Sequence, residues 1–324
     1  MSIAYPIFPT LAPGQTYTAP NQPMRGVGWS IKKTPTWSNE RQQTTSGRTL
    51  VVKYWTNPLW KWEFTYEVAF DNPAYPNPFY TTPFPATDFE ILQGFYCGME
   101  GQGNEFAYQP PDSVRGGSFT ITSVQIATAN IVVLGINTSV SVNQLRLGDN
   151  LYISGLSVVT TLNTHNGTVI SRNAATNTVT LSMTASTHAL VTDSGTAVGG
   201  QPLSLPDANG NIEIVNTIGA YPNTPVAAPI VVSAVESVQL VDTSTIIIYS
   251  NGSNVTGSAT FAAADSISPY QGVVAEFGAT SLTAPISASF SYYYLCRFSE
   301  DSQEFENFMA MLWQATIKID QVRI

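Results

Sequence analysis

Trp60-Lys61-Trp62-Glu63-Phe64-Thr65-Tyr66-Glu67-Val68 alternates large apolar side chains with polar ones. A period of two puts the apolar set on one face of an extended chain, so the stretch predicts a half-buried β-strand. Just upstream, Thr49-Leu50-Val51-Val52-Lys53-Tyr54-Trp55 is rich in β-branched and aromatic residues, and Asn57-Pro58 between the two runs is a turn dipeptide. The two runs together are expected to form a β-hairpin. They set the fold class as mainly β.

Working outward, residues 1–24 contain Pro6, Pro9, Pro13, Pro20 and Pro23, which block regular helix and central strand. They read as an extended arm, either loose or packed on a neighbour. Residues 71–87 are a loop crowded with Pro, Asn and aromatics, including Phe79 and Tyr80. Thr87-Asp88 can cap a short helix with Glu90 in its first turn, an apolar stripe of Phe89, Leu92 and Tyr96, and Gly98 and Gly101 at its end. Glu105-Phe106-Ala107-Tyr108 is a strand stopped by Pro110-Pro111.

Composition then changes abruptly. From 116 to 200 Thr, Ser, Asn, Val and Gly dominate, with strand-like runs over Ile121–Val142, Leu145–Leu162, Gly167–Ile170 and Thr178–Ser182. Short strands at this spacing suggest a small sandwich or barrel inserted in the chain, with Gly199-Gly200 as its exit linker. Further strands are expected at Glu213–Val215, Ser237–Val241, Thr245–Tyr249, Gly272–Phe277 and Ile286–Phe298, with Asn251-Gly252 as a hairpin turn. At the end, Phe305, Phe308, Met309 and Leu312 repeat at helical spacing behind Ser299, so a helix is expected there. Ala315–Ile324 then alternates as a strand expected to pair with the N-terminal sheet. The organisation is therefore an arm (1–24), a domain made of 25–115 with 286–324, an inserted β-module (116–200) and a β-rich continuation (201–285).

Charge narrows the function classes. The net charge is −9, and only 11 % of residues are charged, less than half the roughly 25 % of an ordinary domain. Eight basic residues before position 116 are matched by nine acids, and no basic stripe emerges to neutralise phosphates. No apolar run approaches the roughly 20 residues of a membrane-spanning helix. The opening Met1-Ser2-Ile3-Ala4-Tyr5-Pro6 lacks the basic and apolar regions of a signal peptide. Cys97 and Cys296 are 199 positions apart and read as two buried thiols, not as a disulfide framework.

Residues that carry chemistry are sparse. His165 and His188, with Asp149 and Asp193, are the only histidines and acids of the module, and their sequence context is turn-like. No metal-ligand spacing, P-loop or third glycine after Gly101-Gln102-Gly103 is present. Asp207–Glu213 lacks the full calcium-loop spacing and reads as an Asn-Gly turn. Glu300-Asp301 reads as the start of a helix, not as a glycosidase pair. No catalytic, cofactor or metal residue is therefore assigned, and no enzyme activity is expected.

The sharp feature is aromatic. Trp55, Trp60 and Trp62, with Phe79 and Tyr80, are the candidate residues for a subunit interface, because Trp and Tyr are enriched where one face must be buried. Exposed rings also stack on sugars, so a carbohydrate-binding adhesin or receptor-binding component is the alternative.

Several segments together resemble the distal tail protein family of long-tailed bacteriophages and gene transfer agents. They are Gly28–Ser38, Gln42–Arg48 and Trp55–Val68 near the start, and Asp88-Phe89, Gly94-Phe95-Tyr96, Phe106-Ala107-Tyr108 and Pro111-Asp112 after it. Leu205–Gly210, Phe290-Ser291-Tyr292, Arg297–Asp301, Trp313 and Gln321-Val322-Arg323 complete the set. The resemblance spans roughly 25–112 and 201–324. The stretch 116–200 departs from it and is similar to a small β-module of phage structural proteins, most so over Gly148–Gly155. The resemblance implies that 25–115 with 286–324 form a belt domain, a split barrel or sandwich with short helices, in a structural virion protein at the tail tip, made in the host cytoplasm. It implies a homo-oligomeric ring, usually of six copies, that joins the tail tube protein to the baseplate hub and to side fibres or receptor-binding proteins. Neither a cofactor nor sequence-specific nucleic-acid binding is implied.

Overall fold

The alternating stretch lies in one strand, Leu59–Phe70, with Trp62, Phe64 and Tyr66 buried and Lys61 and Glu67 exposed. Around it the computed structural model describes residues 5–9, 27–43, 45, 47–54, 58–74, 86–110, 112–222, 231–237, 240–262, 273–278 and 281–322. The chain is mainly β, built from large antiparallel sheets. It divides into two units, one formed by Pro110–Tyr293 and the other by Ile3–Gln109 with Tyr294–Ile324.

In chain order the elements begin β1 (Val27–Thr36), β2 (Asn39–Gln43), β3 (Thr49–Lys53), β4 (Leu59–Phe70), α1 (Asp88–Gly98), β5 (Phe106–Tyr108) and β6 (Val114–Arg115). They continue β7 (Gly117–Thr128), β8 (Ile131–Ile136), α2 (Ser139–Asn143), β9 (Asn150–Ser154), β10 (His165–Asn173), β11 (Thr178–Ser182) and β12 (His188–Leu203). Next come β13 (Asn211–Glu213), β14 (Val215–Pro222), β15 (Val231–Ser237), β16 (Leu240–Val241), β17 (Ile247–Ser250) and β18 (Ser253–Asn254). The last are β19 (Thr260–Ala262), β20 (Val274–Glu276), β21 (Ile286–Phe298), β22 (Phe305–Met309) and β23 (Leu312–Gln321).

In the unit of Ile3–Gln109 with Tyr294–Ile324, β4 lies between β1 and β23. The register sets Ile31 and Ile317 opposite Phe64 and Ile319 opposite Trp62, which fixes one apolar face. Pairing of the C-terminal strand with the N-terminal sheet follows from this shared face, since a one-residue slip would expose every core side chain. Phe8 is fully buried against it, with ring centroids 5.4 Å from Phe64 and 5.7 Å from Phe106. Helix α1 starts where Thr87 was expected to cap it. The Thr87 hydroxyl accepts the Glu90 N–H at 3.2 Å, and the Glu90 carboxylate accepts the Thr87 N–H at 2.8 Å. That reciprocal capping satisfies two N–H groups the helix cannot satisfy itself.

Cys296 is buried as expected but Cys97 is exposed, and four expectations about the strands also need correction. First, β3 pairs with β2, not with β4. Both edges of β4 are taken by β1 and β23, which leaves none for a hairpin with β3. Second, Phe305–Leu312 is no helix. It forms the antiparallel pair β22–β23 around Ala310-Met311, with Met311 at φ 61°. Its helical spacing is a coincidence of the turn, which sets Met309 opposite Leu312. Third, Gly199-Gly200 is not a linker but lies inside β12, paired with β9 and β7. A Cβ on Gly199 would stand 2.0 Å from the Asn150 carbonyl oxygen. Fourth, the run Ile121–Val142 is two strands and the short helix α2, because Ala129-Asn130 turns the chain.

The Pro110–Tyr293 unit contains a circuit of antiparallel pairings. Strand β12 pairs with β7, then β7 with β8, β8 with β11, β11 with β10, β10 with β9, and β9 with β12 again. The circuit encloses a single cluster of buried residues drawn entirely from Phe119–Ala197. At its base the fully buried Arg115 donates to the Asp149 carboxylate and, at 2.7 Å, to the Asn216 side-chain oxygen. Asn216 in turn donates to the Tyr292 hydroxyl at 3.1 Å. Outside the circuit, Asn251-Gly252 turns β17 into β18 as its sequence predicts, with both residues at positive φ.

Candidate interface

The two strands β2 and β3 form a sheet of their own. Their register sets Gln42 opposite Leu50, Arg41 opposite Val51 and Glu40 opposite Val52. Leu50, Val52, Glu40 and Gln42 therefore share one face, and Arg41 and Val51 the other. Every described residue of the pair is exposed, so neither face rests on a core. Trp37, Leu50, Val51, Val52 and Tyr54 are 39–57 % exposed. A two-stranded hairpin of this kind is marginal in water by itself, and contiguous exposed apolar side chains mark interaction surfaces.

Local contacts hold its shape. The Tyr54 N–H donates to the Ser38 carbonyl at 2.9 Å, which extends the ladder by one rung. The Tyr54 hydroxyl donates to Glu40, and Gln42 donates to the same carboxylate at 2.9 Å. These two hydrogen bonds lower the Glu40 pKa, Tyr54 contributing more, and the same bond raises the Tyr54 hydroxyl. The one carboxylate of the hairpin is thus engaged within it.

The same unit carries a cleft of about 420 Å³ over the outer face of β4 and β23, walled by the approach to β22. Glu67, Glu300, Glu304, Glu306 and Lys318 line it with Gln303 and Gln314. Lys318 donates to Glu300 at 2.9 Å, which raises the lysine pKa. Gln314 donates to Glu306. Along the same face Lys61 pairs with Asp320 at 2.9 Å and Lys32 with Glu63, so the cations are spent at the β1 side and carboxylates accumulate toward β22. Beyond Glu306, Phe308 and Met309 at the end of β22 are exposed.

The sequence-derived interface residues scatter. Trp62 is 2 % exposed and lies inside the unit, its ring centroid 5.0 Å from Tyr108 and 4.9 Å from Tyr294. Trp60 is half-buried, with the Lys33 ammonium 4.4 Å from its ring centroid. Trp55, Phe79 and Tyr80 lie outside the described residues, as does most of the 1–24 arm. The residues that sequence reasoning missed are Leu50, Val51 and Val52, which it placed against Trp60–Val68. The available signal was Asn39-Glu40-Arg41-Gln42-Gln43, a fully polar run that can pair with β3 but cannot cover it.

The polar groups of the module serve its fold. His165 contacts the Asn163 carbonyl at 3.0 Å and His188 the Ala189 carbonyl at 2.7 Å, both exposed. Burial raises the Asp193 carboxyl, but the N–H groups of Val159, Ser157 and Val158 and the Ser157 hydroxyl outweigh it and hold its pKa at about 2. Asp207 accepts the N–H groups of Asn209 and Asn211 at 2.8 and 2.9 Å, which makes 207–211 a turn. Among the described residues no three His, Cys, Asp or Glu side chains gather as a metal site, and no helix is long and apolar enough to cross a membrane.

The class these features define is a mainly β chain with an uncovered hairpin and an acidic cleft on one unit. No family model and no curated protein matches it.

Proposed function

We propose that this chain is a structural virion protein, a distal tail subunit that assembles into a ring between the tail tube and the tail-tip hub with its fibres. The observation that carries the reading is the β2–β3 hairpin, two strands with both faces in solvent and apolar side chains on each. A hairpin of this kind gains stability by packing on a further surface, which a neighbouring chain would supply. It belongs to the unit that holds the sheet β1–β4–β23 and helix α1, where the resemblance to the tail family is concentrated. Contacts between different patches of identical copies close into rings when their rotation permits, and each such contact should bury more than about 1,000 Å².

In this reading the chain works by binding, with itself, the tube protein and the hub as partners and the tail tip as its location. Side fibres or receptor-binding proteins would attach to the same ring. Imaging the purified chain by negative stain tests it. Closed rings with a central opening are expected, and they should vanish when residues 39–53 are replaced by a tight turn. Two-fold dimers or a lasting monomer would overturn it, and rings that survive the replacement would overturn the hairpin's part in it.

A further inference from the structure

The hairpin is basic within an acidic chain. Residues 39–53 hold Arg41, Arg48 and Lys53 against Glu40 alone, while the whole chain has a net charge of −9. The acid it does hold is engaged by Tyr54 and Gln42. The cleft on the same unit has the opposite character, with four glutamates against one lysine that is already paired. Its lining includes no hairpin residue, and the hairpin is exposed along its described length. The hairpin therefore does not fill the cleft of its own copy.

From these observations we infer that the β2–β3 hairpin of one copy docks on the carboxylate cleft of a second copy. Arg41 would face Glu67, Glu304 and Glu306, and Val51 on the same hairpin face would meet the exposed Phe308 beyond Glu306. The inference rests on the ring reading above and names the surfaces that make the ring. It fits that reading geometrically, because hairpin and cleft are different patches of one unit and each copy both gives and receives. A self-complementary two-fold contact would need the same patch on both sides. Opposite charge also gives the contact its orientation, since the wrong juxtaposition would place glutamates against glutamates. Assembly should weaken as salt rises, because exposed charges are screened beyond about 8 Å at physiological ionic strength.

A charge swap tests this on the full chain. Sedimentation velocity is read across a dilution series reaching about 100 μM, where even a contact with a Kd near 10 μM is largely formed. Arg41→Glu with Arg48→Glu should weaken assembly about tenfold or more, and so should Glu304→Lys with Glu306→Lys. All four substitutions in one chain should recover assembly to within about threefold of the unsubstituted protein, a rescue that simple damage cannot give. Circular dichroism checks that each variant keeps its β content. If the unsubstituted chain assembles but neither pair weakens it, or the swap brings no recovery, the docking site is wrong and the ring reading stands. If the unsubstituted chain stays monomeric throughout, the ring reading fails and the inference falls with it.

Discussion

Arg115→Met should destabilise one unit of the chain and leave the other unmoved. Arg115 is fully buried and donates to Asp149, itself fully buried, at the base of the strand circuit. Removing the guanidinium strands a carboxylate in a dry interior, which costs about 3–5 kcal/mol. Asp149 would keep the Arg146 N–H at 2.8 Å, so the lower end, about 3 kcal/mol, is the better figure. With a urea slope of about 2 kcal/mol/M for a unit of this size, the midpoint should fall by about 1.5 M. The assay follows from where the tryptophans lie. The described tryptophans, Trp29, Trp37, Trp60, Trp62 and Trp313, belong to the unit of Ile3–Gln109 with Tyr294–Ile324, and the sequence from 110 to 293 holds no tryptophan. Tryptophan fluorescence thus reports one unit, while far-UV circular dichroism reports both. The variant should lower the dichroism transition assigned to Pro110–Tyr293 and leave the fluorescence transition in place. Adding Asp149→Asn should restore part of the loss, because the stranded charge is then gone. A fluorescence transition that falls by the same amount, or a dichroism transition that does not move, would refute this.

Three further perturbations divide in the same way. Asp193→Asn should cost about 1–3 kcal/mol at neutral pH through weakened hydrogen bonds to the N–H groups at 157–159. The Asp193 pKa falls on folding from 3.8 to about 2, so its contribution is complete above pH 4 and lost as pH drops toward 2; the gap between variant and parent in urea should close over that window, and a constant gap would contradict it. Gly199→Ala, whose Cβ would meet the Asn150 carbonyl oxygen at 2.0 Å, should cost about 1–3 kcal/mol, read by dichroism. Thr87→Ala removes one half of the α1 cap and should lower the tryptophan-reported stability by about 1 kcal/mol.

The residues readable from sequence are those whose partners are near in the chain or whose pattern leaves one choice. Thr87 and Glu90 cap α1 from three positions apart, Asn251-Gly252 needs only its own positive φ, and Trp62, Phe64 and Tyr66 share a face whatever strand covers them. What could not be read was which strand pairs with which. Leu50–Val52 carries the same β signal whether it packs on β4 or stands beside a polar strand, and only the competition of β1 and β23 for the edges of β4 decides. Phe305–Leu312 matched a helix because a turn at Ala310-Met311 sets similar side chains three and four positions apart. Gly199-Gly200 looked like a linker, although glycine there admits the close approach of β9. The tryptophans drew attention to an interface, yet Trp62 is interior, and the surface left uncovered is the plainer β2–β3 hairpin.

Identical copies of this chain should close into a ring through that hairpin. Native mass spectrometry of the unsubstituted protein tests it most directly. One dominant closed species of about six chains is expected, lost when residues 39–53 are replaced by a tight turn. A monomer at every concentration, or an open-ended ladder of sizes with no preferred copy number, would contradict it.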